Sequence, residues 1–197
     1  MKKRYILWLW IVIIGGVSSA LAESSAADSP QFTKANELVR PANFREWIFL
    51  SSGLGMTYNE GDQRTPSQNF TNVYVNPEAY RGFMKAGRWP DKTMFVLEIR
   101  GSASEGSINK GGRFQTDLVF LEAEVKDEKR FPTTKWGYFN FGPAAKMVEK
   151  AAPLPKSADC FACHSQHGAV DSTFVQFYPT LLDVAKRMKT LNPSFGR

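Results

Sequence analysis

Cys160-Phe161-Ala162-Cys163-His164 brings together both cysteines of the chain and one of its two histidines. Two thiols three residues apart, followed at once by an imidazole, form the attachment signature of a c-type haem. The order matters chemically. Each thiol adds to one vinyl group of a porphyrin, and the short turn between them presents both sulfurs to one edge of the ring. The next residue is directed under the iron, where its imidazole supplies an axial nitrogen. One haem c, attached through Cys160 and Cys163 with His164 as the metal ligand, is therefore the expected cofactor. The competing readings are a Cys-x-x-Cys disulfide and half of a zinc site. Zinc would need further soft ligands, and only His167 remains.

A haem needs walls. The 197 residues suffice for one domain with a proper core, and 15 phenylalanines are a heavy aromatic load, suited either to enclosing a flat apolar cofactor or to an ordinary β core. Residues 1–22 are set aside as a secretory signal peptide. Lys2, Lys3 and Arg4 precede the apolar run Tyr5 to Ile14, and Ala20-Leu21-Ala22 offers a small-x-small cleavage site. The run is short for a spanning helix, so no stable membrane anchor is expected after cleavage. Without those three cations the formal charge falls from +6 to +3, which makes nucleic acid a poor partner. Export fits a periplasmic haem protein, since bacterial c-type haem is attached outside the cytoplasm.

The remaining chain divides into a mobile tail over 23–35 and one haem domain over 36–197. Pro41 can start a helix whose Phe44, Trp47 and Ile48 share a face. Phe70 to Val75 reads as a strand. Asn76 as N-cap, Pro77 at the first position, an apolar face of Tyr80, Phe83 and Met84, and Gly87 at the end make a short amphipathic helix. Strands follow at Thr93 to Arg100, Phe114 to Val125 and Trp136 to Phe141, separated by the Gly- and Ser-rich stretch 101–112 and the charged turn 126–130. A helix over Ala144 to Ala151, a cap at Ser157 or Asp159 for the turn carrying the haem motif, and a helix over Thr180 to Thr190 complete the reading. The fold class is α+β: a predominantly antiparallel sheet with short flanking helices, and the haem on a C-terminal CxxCH turn packed against the sheet.

Several segments, in this order, resemble the cytochrome P-460 family, which includes the cytochromes c′-β. They are Asn43-Phe44-Arg45-Glu46-Trp47, Val73 to Tyr80, Leu121 to Asp127, Cys160 to His164, and Phe177-Tyr178-Pro179. The resemblance implies a periplasmic homodimer with an antiparallel β fold, one haem held by the motif histidine, and an open or apolar-capped distal side. Family members handle small nitrogen compounds: some oxidise hydroxylamine, others bind nitric oxide and related gases.

In the hydroxylamine oxidases a lysine is joined covalently to the porphyrin. Its position falls on Leu97, which has no nucleophilic nitrogen; Lys92 is a weaker substitute because it sits in a turn. The family's proton-accepting glutamate falls on Glu122, the expected catalytic group, which strand parity places beside Leu118 and Phe120. Burial there would raise its pKa; a solvent-facing edge glutamate is the plainer alternative. An arginine of the oxidases falls on Thr71. Thr71, Val73, Phe95 and Leu97 are thus the expected distal wall, with Phe95 equally readable as plain core.

Three functions stay open. The first is binding of nitric oxide or another small nitrogen ligand at a five-coordinate haem. The second is hydroxylamine oxidation, with a redox partner protein taking the electrons. The third is electron transfer by a six-coordinate haem with Met56, Met84 or Met94 as sixth ligand.

Overall fold

The computed structural model describes residues 28–57 and 68–195. Its centre is a five-stranded antiparallel sheet in meander order: β2 (Ile48–Leu54), β3 (Phe70–Val75), β4 (Met94–Ala103), β5 (Phe114–Lys126) and β6 (Trp136–Pro143). A separate pair joins β1 (Leu38–Val39) to β7 (Lys150–Ala151). Three helices accompany them: α1 (Pro77–Ala86), α2 (Asp159–His167) and α3 (Pro179–Met188). This is the α+β architecture with an antiparallel sheet that the sequence predicts, and the haem motif lies on α2.

The period of two along each strand divides the core. On one face Val75, Phe95, Trp136 and Tyr138 pack beneath the helices, against Ala79 and Phe83 of α1, Leu181, Val184 and Ala185 of α3, and Trp89. On the other, Met94, Val96, Leu121, Ala123, Val125, Phe139 and Phe141 pack against the N-terminal segment through Leu38, Phe44 and Trp47. Fully burying side chains of this size contributes about 1.5–3 kcal/mol each, so both faces anchor the sheet and only the helical one meets the cysteines.

Helix α1 begins and ends where its residues dictate. Pro77 takes the first turn, and Gly87 closes the helix in the left-handed region at φ 66°. Asn76 stands at the N-cap, yet its side chain bonds elsewhere: Oδ1 accepts from the Met94 N–H at 2.8 Å, and Nδ2 donates to the Lys92 carbonyl. The cap residue thereby ties the helix start to β4. Ala79 and Phe83 form the buried face, whereas Met84 is 38% exposed, outside the face predicted for it.

Other expectations are corrected. The helix after Pro41 shrinks to one 3₁₀ turn, Phe44–Glu46, because the chain must already be extended at Ile48 to pair with Val75. The helix over 144–151 is replaced by a 3₁₀ turn, Ala144–Lys146, and by β7, recruited by Leu38 and Val39. No side chain caps α2; Ala158 holds the N-cap position. Residues 28–35, read as the end of a mobile tail, are packed. Asp28 Oδ1 accepts from Trp47 Nε1 and Asn43 Nδ2, each at 2.8 Å, and Phe32 meets Phe139 edge-on at 5.9 Å. The signal segment 1–22 lies outside the described residues. Among the described residues, no helix is long and apolar enough to cross a membrane.

On the face away from the helices a buried charge is fully engaged. Glu98, 1% exposed, accepts from Arg45 Nε at 3.0 Å and NH2 at 2.6 Å, from Arg100 NH1 at 3.0 Å, and from Asn72 Nδ2 at 3.1 Å. Burial opposes its ionisation, but the Asn72 and arginine hydrogen bonds outweigh that and hold its pKa below the ordinary carboxylate value.

Candidate functional site

Strand register builds the site before any helix reaches it. Leu97 pairs with Val73 on one side and Glu122 on the other, and Glu122 pairs with Asn140. One row further toward the β4–β5 turn, Ile99 lies between Thr71 and Phe120. One row the other way, Phe95 lies between Val75 and Glu124, and Glu124 pairs with Tyr138. All these side chains share the helical face. The parity assigned to Leu118 does not carry across a register shift between Ile99 and Arg100, where Leu118 pairs with Arg100 instead.

Burial separates the rows. Phe95 is 2% exposed, with its ring 4.7 Å from Trp89 and 6.3 Å from Tyr178. Thr71, Val73, Leu97, Ile99, Phe120 and Glu122 are only half-buried, a mostly apolar strip beside the motif helix. Burial pushes the Glu122 carboxyl above its ordinary pKa, more than the neighbouring His164 pulls it down. The Cys160 thiol is also pushed up, first by burial and then by the charge of Glu122.

Helix α2 presents Cys160 and Cys163, both free and partly buried, one turn apart. Its next residue, His164, packs against the sheet. Its ring lies 4.7 Å from that of Tyr138 and 4.4 Å from that of Phe174. Nδ1 is 3.0 Å from the Ser172 carbonyl oxygen and 3.2 Å from Glu124 Oε2. The Ser172 carbonyl stands in hydrogen-bond geometry with Nδ1, whereas Oε2 of Glu124 makes no hydrogen bond despite the short separation. Burial disfavours a charged imidazole here, but Glu124, then Ser172 and Glu122, more than compensate and raise the His164 pKa.

The Ser172 carbonyl is held in place by a strained turn. Asp171 and Ser172 both adopt positive φ, 48° and 60°, which costs a non-glycine residue energy. The Asp171 carboxylate accepts from Arg88 NH1 at 2.9 Å and the Trp89 N–H at 3.1 Å, with Lys126 Nζ at 3.7 Å. Trp89 Nε1 donates to Thr173 Oγ1 at 2.8 Å. At Gly168 a Cβ would lie 2.6 Å from the His164 carbonyl oxygen and 2.6 Å from the Ser172 carbonyl carbon, so a glycine lets the loop close back on the helix.

These features fit a c-type haem. Two thiols stand on one turn, Nδ1 of His164 faces the Ser172 carbonyl, so that a proton there would leave Nε2 as the ligand nitrogen, and an apolar strip flanks them. The zinc alternative finds no support: among the described residues there is no group of three or more His, Cys, Asp or Glu able to hold a metal ion. Lys92 binds Asp127 at 2.6 Å in its turn. Five residues from Leu97, it is roughly 16 Å along an extended chain. Met94 is buried in the core on the opposite face and Met84 lies on the exposed side of α1. Met56 alone of the three proposed sixth ligands reaches the helical face, with its sulfur 3.9 Å from Thr71 Oγ1.

Sequence reasoning named Glu122 and the motif but missed Glu124, Ser172, Tyr138 and Phe174. Glu124 could have been found, since it stands two residues from Glu122 on one strand; the other three reach His164 only through tertiary folding.

No curated protein matches the chain. The family model described as Cytochrome P460 matches residues 41–175, from before β2 through the strained turn after α2. A match over most of the chain, on a fold whose sheet, helix and loop converge on the Cys160 to His164 motif, means that the chain belongs to the cytochrome P460 family and binds c-type haem as a cytochrome.

Proposed function

We propose that this protein is an exported, periplasmic mono-haem cytochrome, homodimeric as its resemblance implies, that binds nitric oxide or a related small nitrogen ligand at a five-coordinate iron. The observation that carries the reading is the row Val73–Leu97–Glu122: Leu97, the position on which the resemblance sets the oxidases' cross-linking lysine, is aliphatic. Haem held by Cys160, Cys163 and His164 supplies an iron able to take up a diatomic ligand. The chain's own residues then select. Val73, Leu97, Ile99 and Phe120 exclude water and disfavour charged ligands, and Thr71 offers one hydroxyl without a cation.

A second reading is favoured by Glu122. A half-buried carboxylate whose pKa burial raises is a stronger proton acceptor than an exposed one, as hydroxylamine oxidation requires, with a redox partner protein accepting the electrons. Six-coordinate electron transfer would rest on Met56 alone, since Met84 and Met94 face away.

Absorption spectra of the purified ferric and ferrous protein, before and after nitric oxide and hydroxylamine, separate these readings. An unshifted ferrous Soret band that responds to nitric oxide, with no turnover of hydroxylamine, is expected. A strongly red-shifted ferrous band would reveal a porphyrin cross-link and overturn the first reading. A low-spin spectrum indifferent to both additions would overturn both pocket readings.

A further inference from the structure

The attachment motif brings the His164 imidazole to the iron, but does not set how strongly its nitrogen binds. That property depends on what Nδ1 faces, and here it faces two acceptors. Ser172 supplies a neutral carbonyl at 3.0 Å, and Glu124 a carboxylate oxygen at 3.2 Å. The Glu124 side chain is 11% exposed, and its Oε2 is buried with no hydrogen bond. Within the described residues the one basic side chain within ion-pair distance of it is His164, which is charged only when doubly protonated. Lys126, next but one on the same strand, donates instead to the Trp89 carbonyl at 2.7 Å and lies 3.7 Å from Asp171.

A buried carboxylate oxygen with no donor is costly to maintain. The fold nevertheless keeps it against a ring nitrogen, flanked by Phe95 and Tyr138 on neighbouring strands. A metal-bound histidine whose second nitrogen faces a carboxylate is a more basic ligand than one facing a carbonyl alone. Fixed negative charge close to a metal in a poorly screened site also favours its higher oxidation state.

We propose that Glu124 is a positioning residue that competes with Ser172 for the Nδ1 proton of His164, strengthens the axial bond made by Nε2, and lowers the reduction potential of the haem iron. The proposal rests on His164 being the iron ligand and holds whether the opposite coordination position is open or filled. It gives Glu122 and Glu124 different tasks: Glu122 faces the apolar strip, whereas Glu124 acts through the histidine.

The test uses the haem-loaded protein and Glu124→Gln, which keeps the side chain's shape and an acceptor oxygen but removes its charge. The potential is measured by spectroelectrochemical titration at fixed pH, and the iron–histidine stretching band of the ferrous state by resonance Raman. In Glu124→Gln the one-electron reduction equilibrium should shift at least tenfold toward the ferrous form, about 59 mV, with the band moving to lower frequency. A purely packing role would move neither, and an unchanged potential and band overturn the proposal. If Glu124→Gln fails to hold haem, the unaltered protein decides. A band at the high frequency of an imidazole bonded to a carboxylate supports the proposal, and one at the lower frequency of an imidazole bonded to a carbonyl overturns it. A six-coordinate ferrous spectrum would instead overturn the five-coordinate reading, and the potential shift would still test Glu124.

Discussion

Gly168→Ala should disturb the proximal side without touching a single functional side chain. The new Cβ would stand 2.6 Å from the Ser172 carbonyl carbon and 2.7 Å from its Cα, with the His164 carbonyl oxygen at 2.6 Å on the other flank. Ordinary contacts begin near 3.4 Å, so backbone must yield by roughly 0.8 Å. If the Ser172 turn moves, its carbonyl retreats from 3.0 Å to about 3.8 Å from Nδ1, beyond hydrogen-bonding range. Overpacking costs about 1–3 kcal/mol and the lost hydrogen bond about 1 kcal/mol. Together about 2–4 kcal/mol corresponds, at roughly 2–4 °C per kcal/mol for a chain of this size, to a melting temperature lower by about 4–16 °C. Calorimetry of the haem-loaded protein measures that drop, and resonance Raman reads the iron–histidine band in the same samples. Gly111→Ala is the control, since a Cβ there meets nothing within 4 Å and should change stability by less than about 0.5 kcal/mol. Equal melting of the two variants, with an unchanged Raman band in Gly168→Ala, would refute the idea that this close approach holds the Ser172 carbonyl in place.

Cys160→Ala combined with Cys163→Ala should abolish covalent haem, read as loss of colour retained by the denatured, acid-acetone-extracted protein; persistence would overturn the attachment assignment. Glu122→Gln should stabilise the protein near neutral pH. A carboxyl whose folded pKa is raised loses stability as pH climbs from its ordinary value through the raised one, so the gain is largest above that window and vanishes below it; a denaturation series across pH that shows equal stabilities throughout would contradict this. Glu98 has the opposite sign. Its depressed pKa contributes stability that is present above the ordinary carboxylate value and is lost as pH falls through the lower folded value. Glu98→Ala should cost about 3 kcal/mol by urea denaturation at neutral pH, the low end for a broken buried pair because Arg45 is half exposed.

Where local chemistry decides, the sequence was enough to read the structure. Pro77 and Gly87 bracket α1 because a fixed φ starts a helix and a left-handed residue ends one. Phe95 could be grouped with Leu97, and Glu122 with Phe120, because alternation survives wherever strands keep register. Legibility failed where a distant partner outvoted a local pattern. Residues 144–151 have helical composition, yet β7 forms because Leu38 offers it an edge. Phe44, Trp47 and Ile48 fit a helical face, but β3 needs Ile48 extended. The Ser172 carbonyl has no signature at all, since a backbone oxygen becomes an acceptor for His164 only when Asp171, Arg88 and Trp89 fold the turn back.

One strand thus supplies the two carboxylates that distinguish this haem site from a bare attachment motif. Glu122 and Glu124 share a face, displaced by about 6.7 Å along β5, and that displacement separates their chemistry. At the level of Glu124 the neighbours are His164, Tyr138 and a buried Phe95, so the carboxylate acts on an imidazole. At the level of Glu122 they are Leu97 and Asn140, and burial without a bonded cation leaves a carboxyl inclined to keep its proton. A shift of β5 by one residue would turn both away and put Leu121 and Ala123 in their place. The surroundings of the haem site are therefore set by strand register as well as by Cys160 to His164, and substitutions in the rows of Leu97 and Phe95 should change ligand preference and potential while leaving haem attachment intact.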